Sequence, residues 1–317
     1  MVTPQRPLPS GFGRETTATE ALGGRDLSGS VAVVTGGHSG LGLVVTRVLA
    51  EAGAEVVVPA RDPERAERAL AGIARARARP FDLVDPGSID RFAESFLADG
   101  APLHMLINNA AVLGHPDRRD ARGFDHTFAV NHLGHFQLTA RLWPALRRAE
   151  GARVVTVSSR GHRFATVELD DLHFDRREFD QTVAYAQSKT ANALFALELD
   201  ARGAPFGVRS FSVHPGVITT GLNRHLDEAD RGAALAAYGP RRSAEQGAAT
   251  TVWCAANRQL DGLGGVYCED VDIASPVDAS TTATPGARPW ILDRELAGRL
   301  WTASELLTGV RFPVGHV

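Results

Sequence analysis

Apolar residues along the chain fall into short continuous runs separated by longer mixed segments. The strand-like apolar segments occupy 31–35, 55–59, 103–107, 154–157 and 208–213, and the first of them is a continuous run. Runs of this length without polar alternation are typical of strands that are buried on both faces, as in a parallel sheet. The mixed segments between them carry the alanine, leucine and arginine content of helices. This alternation predicts an α/β protein with helices on both faces of a parallel sheet.

The remaining elements complete a sheet of seven strands. In chain order they are a strand ending at 81–83, a helix over 123–148, a polar and aromatic loop over 161–183, a helix over 244–256 and a strand at 265–268. We expect three parts of the chain: an irregular extension at 1–29, one folded domain at 30–275 and a helical extension at 276–317.

Composition narrows the class of protein. The 317 residues carry a net charge of −3 with both signs interspersed, which excludes an extended nucleic-acid surface. Cys254 and Cys268 match no CxxC pattern, so a reduced, cytoplasmic setting is expected. No apolar run reaches the roughly 18–20 residues that span a bilayer, and the N-terminus lacks a signal-peptide core. We therefore expect a soluble protein.

A glycine-rich turn follows the first predicted strand. The segment TGGHSGLG at 35–42 lies between that strand and a helix, the context that a dinucleotide site requires. Gly36 allows the tight turn, Gly40 lets the backbone approach a pyrophosphate, and Gly42 lets the helix pack on the strand. Ser39 adds a hydroxyl beside the positive end of the helix dipole. A Rossmann-type, doubly wound fold is the prediction.

The end of the second strand bears on the choice between NADP and NAD. Arg61 stands where a guanidinium would bind the 2′-phosphate of NADP, and Ala60 before it offers no acid. Asp62 lies about 20 residues past the glycines, where a carboxylate would bind the ribose hydroxyls of NAD. However, Asp62 followed by Pro63 also has the pattern of a helix N-cap. We therefore favour NADP and keep NAD as the alternative.

Polar or small residues follow three further strands. Asp82 either reaches the adenine edge or forms a turn. The segment NNAA at 108–111 leaves room for a ribose and a nicotinamide at the carboxyl edge of the sheet. Ser159, after the strand at 154–157, either donates a hydrogen bond to a substrate carbonyl or ends the strand as a cap.

Tyr185 and Lys189 are four residues apart on a predicted helix, which places them on one face. Lys189 is the only lysine in the sequence, against 33 arginines. An ammonium beside a phenol favours the phenolate, so this pair can transfer a proton near neutral pH. Lysine, unlike arginine, is compact enough to reach a phenol and a sugar hydroxyl together.

The helix over 123–148 carries three polar residues in an apolar surrounding. His132 and His135 have a spacing that suits a metal, but no further ligands accompany them, so we interpret them as packing or surface residues and expect no metal. Asn131 is a polar amide in an apolar surrounding, so it needs hydrogen-bond partners, such as the waters of a proton path.

Together these motifs resemble the classical short-chain dehydrogenases/reductases over about 26–275. The matching motifs are TGGHSGLG at 35–42, NNAA at 108–111, Asn131, Ser159, Tyr185 with Lys189, and HPGVITT at 214–220. NNAA stands where the family more commonly has NNAG. The flanking segments at 16–18, 26–29 and 299–305 resemble the retinol dehydrogenase and WW-domain oxidoreductase branch, which commonly uses NADP.

The resemblance implies hydride transfer between NADP(H) and a carbonyl or secondary alcohol carbon. Tyr185 is then the general acid or base, and Lys189 lowers its pKa and holds the nicotinamide ribose. Ser159 orients the carbonyl, and Asn131 holds a water that links Lys189 to solvent. The implied cofactor contacts are Gly36, His38, Ser39, Gly40, Leu41, Gly42, Arg61, Asp82, Leu83, Asn109, Ala110, Ala111, Tyr185, Lys189, Pro215, Gly216, Val217, Thr219 and Thr220. The implied substrate contacts are Ser159, Gly161, Tyr185 and Val217.

Two other functions stay open at this point. One is an NAD-dependent alcohol dehydrogenase of the same fold, and the other is a catalytically silent dinucleotide-binding regulator. Phe164, Phe174, Phe179, Leu222, Leu226 and Tyr238 in the loops favour an apolar carbonyl substrate, as in a ketoreductase, and 221–241 is a candidate lid. Family members often pair through the helices after strands four and five, so a homodimer or homotetramer is expected.

Overall fold

The computed structural model describes residues 2–114, 116–216, 218, 241–281 and 285–312. Within this part of the chain the core is one eight-stranded sheet with the order β3-β2-β1-β4-β5-β6-β7-β8. Strands β1 to β7 pair in parallel, and β8 is antiparallel to β7. The strands are β1 (Val31–Val34), β2 (Glu55–Ala60), β3 (Ala76–Pro80), β4 (Met105–Asn108), β5 (Arg153–Val157), β6 (Arg209–His214), β7 (Val266–Glu269) and β8 (Asp272–Ile273).

Helices cover both faces of this sheet, which confirms the predicted fold class. They are α1 (Ala18–Leu22), α2 (Gly40–Glu51), α3 (Pro63–Leu70), α4 (Pro86–Ala98), α5 (His126–Phe128), α6 (Gly134–Arg141), α7 (Trp143–Arg148), α8 (Gln181–Gly203), α9 (Ala244–Ala256) and α10 (Arg294–Thr308). Alternate residues of β1 belong to two separate cores. Ala32 and Val34 pack with α2 and α9, whereas Val33 packs with α4, α7 and α8.

The strand order reverses between β1 and β4. The chain moves outward from β1 to β2 and β3 and then returns to place β4 on the other side of β1. Loops that leave the carboxyl ends of β1 and β4 therefore diverge, and a crevice opens between them where ligands bind in sheets of this kind. The glycine turn follows β1, and the NNAA segment follows β4.

Two strands differ from the sequence prediction. β3 consists of the alternating arginine and alanine residues before 81–83, and it pairs with β2 from Ala76 to Pro80. As an edge strand it turns arginines to solvent, so it lacks a continuous apolar run. β8 adds an eighth strand after a turn at Asp270 and Val271, which both have positive φ. Two residues are too few to produce a sequence pattern.

The long helix predicted over 123–148 is broken into several pieces. A π turn at Ala129–Leu133 lies between α5 and α6, and α7 is separate from α6. A π turn widens the helical ring by one residue, and such turns frequently occur at functional sites. It contains Asn131, which is fully buried.

Both flanking segments pack on the body. The N-terminal segment contains α1, with a capping box between Thr17 and Glu20, so the expectation of an irregular extension was wrong there. The side chain of Gln5 donates to Tyr267 O (2.8 Å) and accepts from Tyr267 N (2.9 Å). At the other end, α10 packs on α8, where the Trp301 and Phe195 rings stack at 5.9 Å.

Among the described residues, no helix combines the length and the apolar character that crossing a membrane would require. Almost all of the predicted lid at 221–241 lies outside the described residues, as do Val217, Thr219 and Thr220. In the C-terminal extension predicted as helical over 276–317, the α-helix spans Arg294–Thr308.

Candidate active site

The glycine turn after β1 leaves no room for side chains. Gly36 has φ of +66°, and a Cβ there would lie 3.2 Å from Asn109 Nδ2. A Cβ on Gly42 would lie 2.7 Å from the same atom and would collide with the Gly36 carbonyl oxygen. Gly40 begins α2 with φ of +52°. The absence of side chains lets the turn, α2 and the end of β4 approach each other, which fits a dinucleotide pyrophosphate.

The first turn of α2 faces the same crevice. Ser39 is the N-cap residue in an extended conformation, and its side chain makes no capping hydrogen bond. The first N–H groups of a helix have no intrahelical partner. They are therefore placed to bind a phosphate at the positive end of the helix dipole. Leu41 is half-buried beside α9, near Gly247.

The Thr35 hydroxyl joins the glycine turn to the end of β4. Its oxygen accepts the N–H groups of Asn109 (2.9 Å) and Ala110 (3.0 Å), and the Asn109 side chain donates to Thr35 O (2.9 Å). Because both lone pairs of the hydroxyl are occupied, its hydrogen is left to be donated. Thr35 therefore holds the NNAA segment against the turn that follows β1.

His135 continues this network into the helical layer. Its Nε2 lies 2.9 Å from Thr35 Oγ1, and its Nδ1 lies 3.1 Å from Asn131 O. A carbonyl oxygen only accepts, so Nδ1 carries the proton and Nε2 accepts from the threonine hydroxyl. Burial lowers the pKa of His135 to about 4, and the nearby Lys189 charge acts in the same direction. A neutral imidazole therefore connects the glycine turn to the π turn.

Three basic side chains lie near the end of β2. Burial lowers the pKa of His38, and the charges of Arg65 and Arg61 lower it further. Arg61 and Arg65 are both exposed. Asp62 caps α3, since its Oδ1 accepts from Arg65 N at 2.9 Å with Pro63 as the first helical residue. The N-cap interpretation of Asp62 is thus confirmed, and positive charge surrounds the place where the adenosine ribose is expected.

Ser159 and Tyr185 meet around Gly161. A Cβ on Gly161 would lie 3.2 Å from Tyr185 Cε1 and 3.3 Å from Ser159 Oγ. Ser159 Oγ accepts the Gly161 N–H at 3.0 Å, which leaves the serine hydrogen for another acceptor. Tyr185 is half-buried at the start of the second turn of α8. The absence of a side chain at Gly161 therefore lets two hydroxyl groups face one site.

Lys189 lies one helical turn after Tyr185 on α8, and its side chain is buried, with 1% exposed. Its Nζ donates to Val157 O at 2.9 Å and lies 5.5 Å from the centre of the Tyr185 ring. Burial lowers the pKa of Lys189 to about 7. An ammonium group has three donors, so the bond to Val157 leaves capacity for a ribose hydroxyl.

Asn131 links the π turn to α8. Its Nδ2 donates to Val112 O and to Ser188 Oγ, both at 3.0 Å, and its Oδ1 accepts from Val112 N at 2.8 Å. The amide is thus bonded to the residue beside Lys189 and not to Lys189 itself. This position suits a residue that fixes α8 relative to the end of β4.

Other predicted cofactor contacts lie around the same crevice. Asp82 accepts from Val84 N at 3.2 Å, which is a turn interaction. The Leu83 carbonyl oxygen lies against Gly134, where a Cβ would collide with it. Gly216 has φ of +87° and packs on the Arg242 side chain. Ala111 and Pro215 are half-buried after β4 and β6.

His132 and His135 point to different partners. His132 Nε2 lies 2.8 Å from Ser304 Oγ of α10, and burial lowers the pKa of His132 to about 3. In the described part of the chain, no three His, Cys, Asp or Glu residues are arranged to hold a metal ion.

Several residues of the site carried no assigned role in the sequence interpretation. Thr35 was part of the glycine motif, but its contact with β4 depends on strand order. Arg65 follows Arg61 by four residues in the first turn of a capped helix, which was a usable signal. The contacts of His135 and His162 have no sequence signal because their partners lie in other elements.

The structure combines a glycine turn at a strand-order reversal, a serine after β5, and a tyrosine and a lysine on α8. These features define a dinucleotide-binding α/β protein. The family model for short chain dehydrogenases matches residues 30–231. The chain belongs to this family of oxidoreductases.

Individual relatives support the same conclusion. The chain is 42% identical to mouse (Mus musculus) polyprenol dehydrogenase over 299 residues, which is 89% of this chain and 84% of the relative. It is 39% identical to the human (Homo sapiens) WW domain-containing oxidoreductase over 306 residues, 92% of this chain and 71% of the relative. The second match confirms the predicted branch of the family. The Pseudomonas aeruginosa RhlG/NADP active-site complex superimposes with a TM-score of 0.62 at 25% identity, covering 77% of this chain and 95% of that one.

Proposed function

We propose that this protein is an NADP(H)-dependent oxidoreductase that interconverts a carbonyl and a secondary alcohol on an apolar substrate. The observation that carries the proposal is the meeting of Ser159 and Tyr185 around Gly161, above the buried Lys189. The four side chains of the proposed relay are Asn131, Ser159, Tyr185 and Lys189. Their presence favours an enzyme over a catalytically silent regulator.

Each side chain has a separate role in the proposed reaction. In reduction, Tyr185 donates a proton to the carbonyl oxygen, and Ser159 donates a hydrogen bond to the same oxygen. Lys189 stabilises the resulting phenolate and binds the nicotinamide ribose. Bound NADPH supplies the hydride. Asn131 holds α8 in register through Ser188.

Gly36, Gly40, Gly42, Ser39, Leu41 and His38 form the proposed pyrophosphate and adenosine side of the cofactor site. Asn109, Ala110, Ala111, Asp82 and Leu83 form its ribose side, and Pro215 and Gly216 its nicotinamide side. The close packing at Gly36 and Gly42, which leaves no room for a Cβ at either position, supports this assignment.

The charges at the end of β2 support NADP over NAD. The charges of Arg61 and Arg65 both lower the pKa of His38, and Asp62 uses one carboxylate oxygen as a helix cap. Two guanidinium groups bind a phosphate strongly, whereas a capping carboxylate competes poorly for a ribose hydroxyl. The NADP complex of the Pseudomonas relative is consistent with this choice.

An apolar substrate is supported in part by the loop after β5. Phe164 remains 48% exposed near Ser159. Phe174 is buried and packs on Phe179, so its ring contributes to packing and not to an open surface. The polyprenol named for the mouse relative is an apolar alcohol, which agrees with this substrate class.

Cofactor titrations of single-arginine variants test the proposed specificity. We expect Arg61→Ala and Arg65→Ala each to weaken NADPH binding about 10- to 100-fold, because each removes a charge-assisted contact to the 2′-phosphate. NADH binding should change by less than about twofold. Nicotinamide fluorescence measures both dissociation constants.

Arg68→Ala is the matched control, since Arg68 is an exposed arginine near the other end of α3. It should leave both affinities unchanged. Equal binding of NADPH and NADH by the wild type and by both site variants would contradict the NADP assignment. It would favour the NAD-dependent alcohol dehydrogenase.

A further inference from the structure

A segment of the C-terminal extension crosses the loop that carries Ser159. We name this segment, residues 285–292, the strap. It follows β8 and precedes α10, and its backbone pairs with the preceding chain through Ala287 N to Ser275 O (2.9 Å) and Val277 N to Ala287 O (3.0 Å). Gly286, Ala287 and Arg288 are buried. The strap is therefore packed into the protein beside the active site.

The first connection between the strap and the serine loop is an ion pair. Arg160, the residue after Ser159, donates from Nε to Glu269 Oε2 at 2.8 Å. The other oxygen of Glu269 accepts the N–H of Gly286 in the strap. The Arg160 and Glu269 side chains are 8% and 5% exposed, so this bridge is shielded from solvent.

The second connection runs through His162. Its Nδ1 lies 2.7 Å from Ser159 O, and its own carbonyl oxygen accepts the indole N–H of Trp290 at 2.9 Å. Arg288 N of the strap lies 3.5 Å from His162 Nε2. Because Ser159 O only accepts, Nδ1 carries the proton. The imidazole therefore donates toward the serine and presents its other nitrogen to the strap.

His162 has little freedom to move. It is 1% exposed, and its ring packs edge-on against the Tyr267 ring at 4.9 Å. Burial lowers the pKa of His162 to about 4, with Arg288, Arg163 and Arg160 acting in the same direction. A neutral, immobile imidazole keeps one tautomer at neutral pH, which its two different contacts require.

The two connections act on the backbone of Ser159 at two neighbouring points. One acts on the following residue through a carboxylate, and the other acts on the serine's own carbonyl group through an imidazole. The Oγ of Ser159 and the ring of Tyr185 both lie beside Gly161. A small rotation of this backbone would therefore move the serine hydroxyl away from the site that it shares with the tyrosine.

We propose that His162 is a positioning residue through which the strap sets the orientation of Ser159 toward the substrate oxygen. This inference rests on the proposed function and adds a role for the C-terminal extension in it. The strap contacts neither the glycine turn nor the Arg61 region among the bonds described above. Its loss should therefore affect turnover and leave cofactor binding intact.

Trp290→Phe tests the strap, since it removes the indole N–H that binds His162 O and keeps an aromatic ring. We expect kcat to fall about 5- to 20-fold with an NADPH dissociation constant within about twofold of the wild type. Hydrogen–deuterium exchange of the peptide over 158–164 should become faster in the variant. The matched control is Trp253→Phe on α9, which removes an indole bond to Gln259 (2.8 Å) and should leave kcat and this peptide unchanged.

A pair of substitutions at His162 separates positioning from general packing. His162→Asn keeps a donor near the place of Nδ1, whereas His162→Leu has none. We expect Asn to retain a kcat within about threefold of the wild type and Leu to lose about 10- to 50-fold. Equal losses in both variants would overturn the proposal.

These measurements distinguish a failure of the proposed function from a failure of the strap proposal. If the wild type reduces no carbonyl compound with NADPH, the proposed function is wrong, and the exchange of the 158–164 peptide still decides whether the strap holds this loop. If the wild type is active but Trp290→Phe changes neither kcat nor exchange, the strap proposal is wrong and the proposed function stands.

Discussion

The Tyr185→Phe variant should lose about 10²- to 10⁴-fold in kcat while binding NADPH as tightly as the wild type. The phenyl ring can keep its place beside Gly161 and above Lys189, so only the hydroxyl is removed. Without that hydroxyl, no group at this position donates the proton to the carbonyl oxygen. Steady-state kinetics with a panel of apolar ketones and a cofactor titration measure the two quantities separately.

Thr182→Ala serves as the control, because Thr182 is exposed on the same helix one turn earlier. It should keep the turnover of the wild type. Ser159→Ala should show a smaller loss than Tyr185→Phe, since the serine donates a hydrogen bond and not a proton. Turnover near that of the wild type in Tyr185→Phe, with every substrate that the parent accepts, would rule out the tyrosine as the acid.

The Lys189→Met variant should lose turnover and yet gain stability at acidic pH. Lys189 is buried, and its pKa is lowered from 10.5 to about 7 by burial. Methionine fills a similar volume without the cost of a buried charge. The acceptor that it abandons, Val157 O, still receives the Asn192 side-chain N–H at 3.1 Å. Activity and stability should therefore change in opposite directions.

The pH dependence of this stability gain follows from the direction of the pKa shift. Between about pH 7 and the unfolded-chain value of 10.5, the unfolded state binds a proton that the folded state does not. The full free-energy cost of burying the Lys189 ammonium is therefore present below about pH 7. This cost decreases as pH rises through the window. At about pH 6, Lys189→Met should raise Tm by about 3–8 °C without cofactor. At about pH 10 the gain should largely vanish.

Thermal unfolding of the two proteins at both pH values checks this expectation. The control is Lys189→Arg, which keeps a permanent charge in the same buried position and should lower Tm at both. An equal effect of Lys189→Met at the two pH values would show that the ammonium is not the source of the difference.

The fold was predictable because local patterns agree with it. Five apolar runs, a glycine turn after the first and capped helices such as α3 at Asp62 were each visible in the sequence and are present in the structure. The predictions of secondary structure were wrong where the local sequence pattern does not reflect the position of the segment in the fold. β3 is an edge strand with solvent-facing arginines, and the π turn at Ala129–Leu133 interrupts a segment whose composition is helical throughout.

In the candidate site, the contacts within one element were predictable from the sequence, whereas the contacts between elements were not. The spacing of Tyr185 and Lys189 follows from helix geometry alone, and the glycine turn follows from its place after a strand. Asn131 was singled out as a buried amide that needed a partner, but its partners, Val112 and Ser188, were not evident from the sequence. They belong to segments that meet only because β4 and β5 are neighbours.

Residue order was sufficient to predict the family, the α/β class, the dinucleotide turn and the helical pairing of the tyrosine with the lysine. These depend on contacts within about one turn or one strand–turn–helix unit, which residue order specifies directly. Three contacts were evident only from the folded chain. Thr35 Oγ1 accepts from Asn109 N, His135 joins the glycine turn to the π turn, and the strap reaches Ser159 through His162. The long-range members of this set are Thr35–Asn109, Thr35–His135 and His162–Trp290, whose residues lie 74, 100 and 128 positions apart. Such contacts form only after sheet order and helix packing have brought distant segments together.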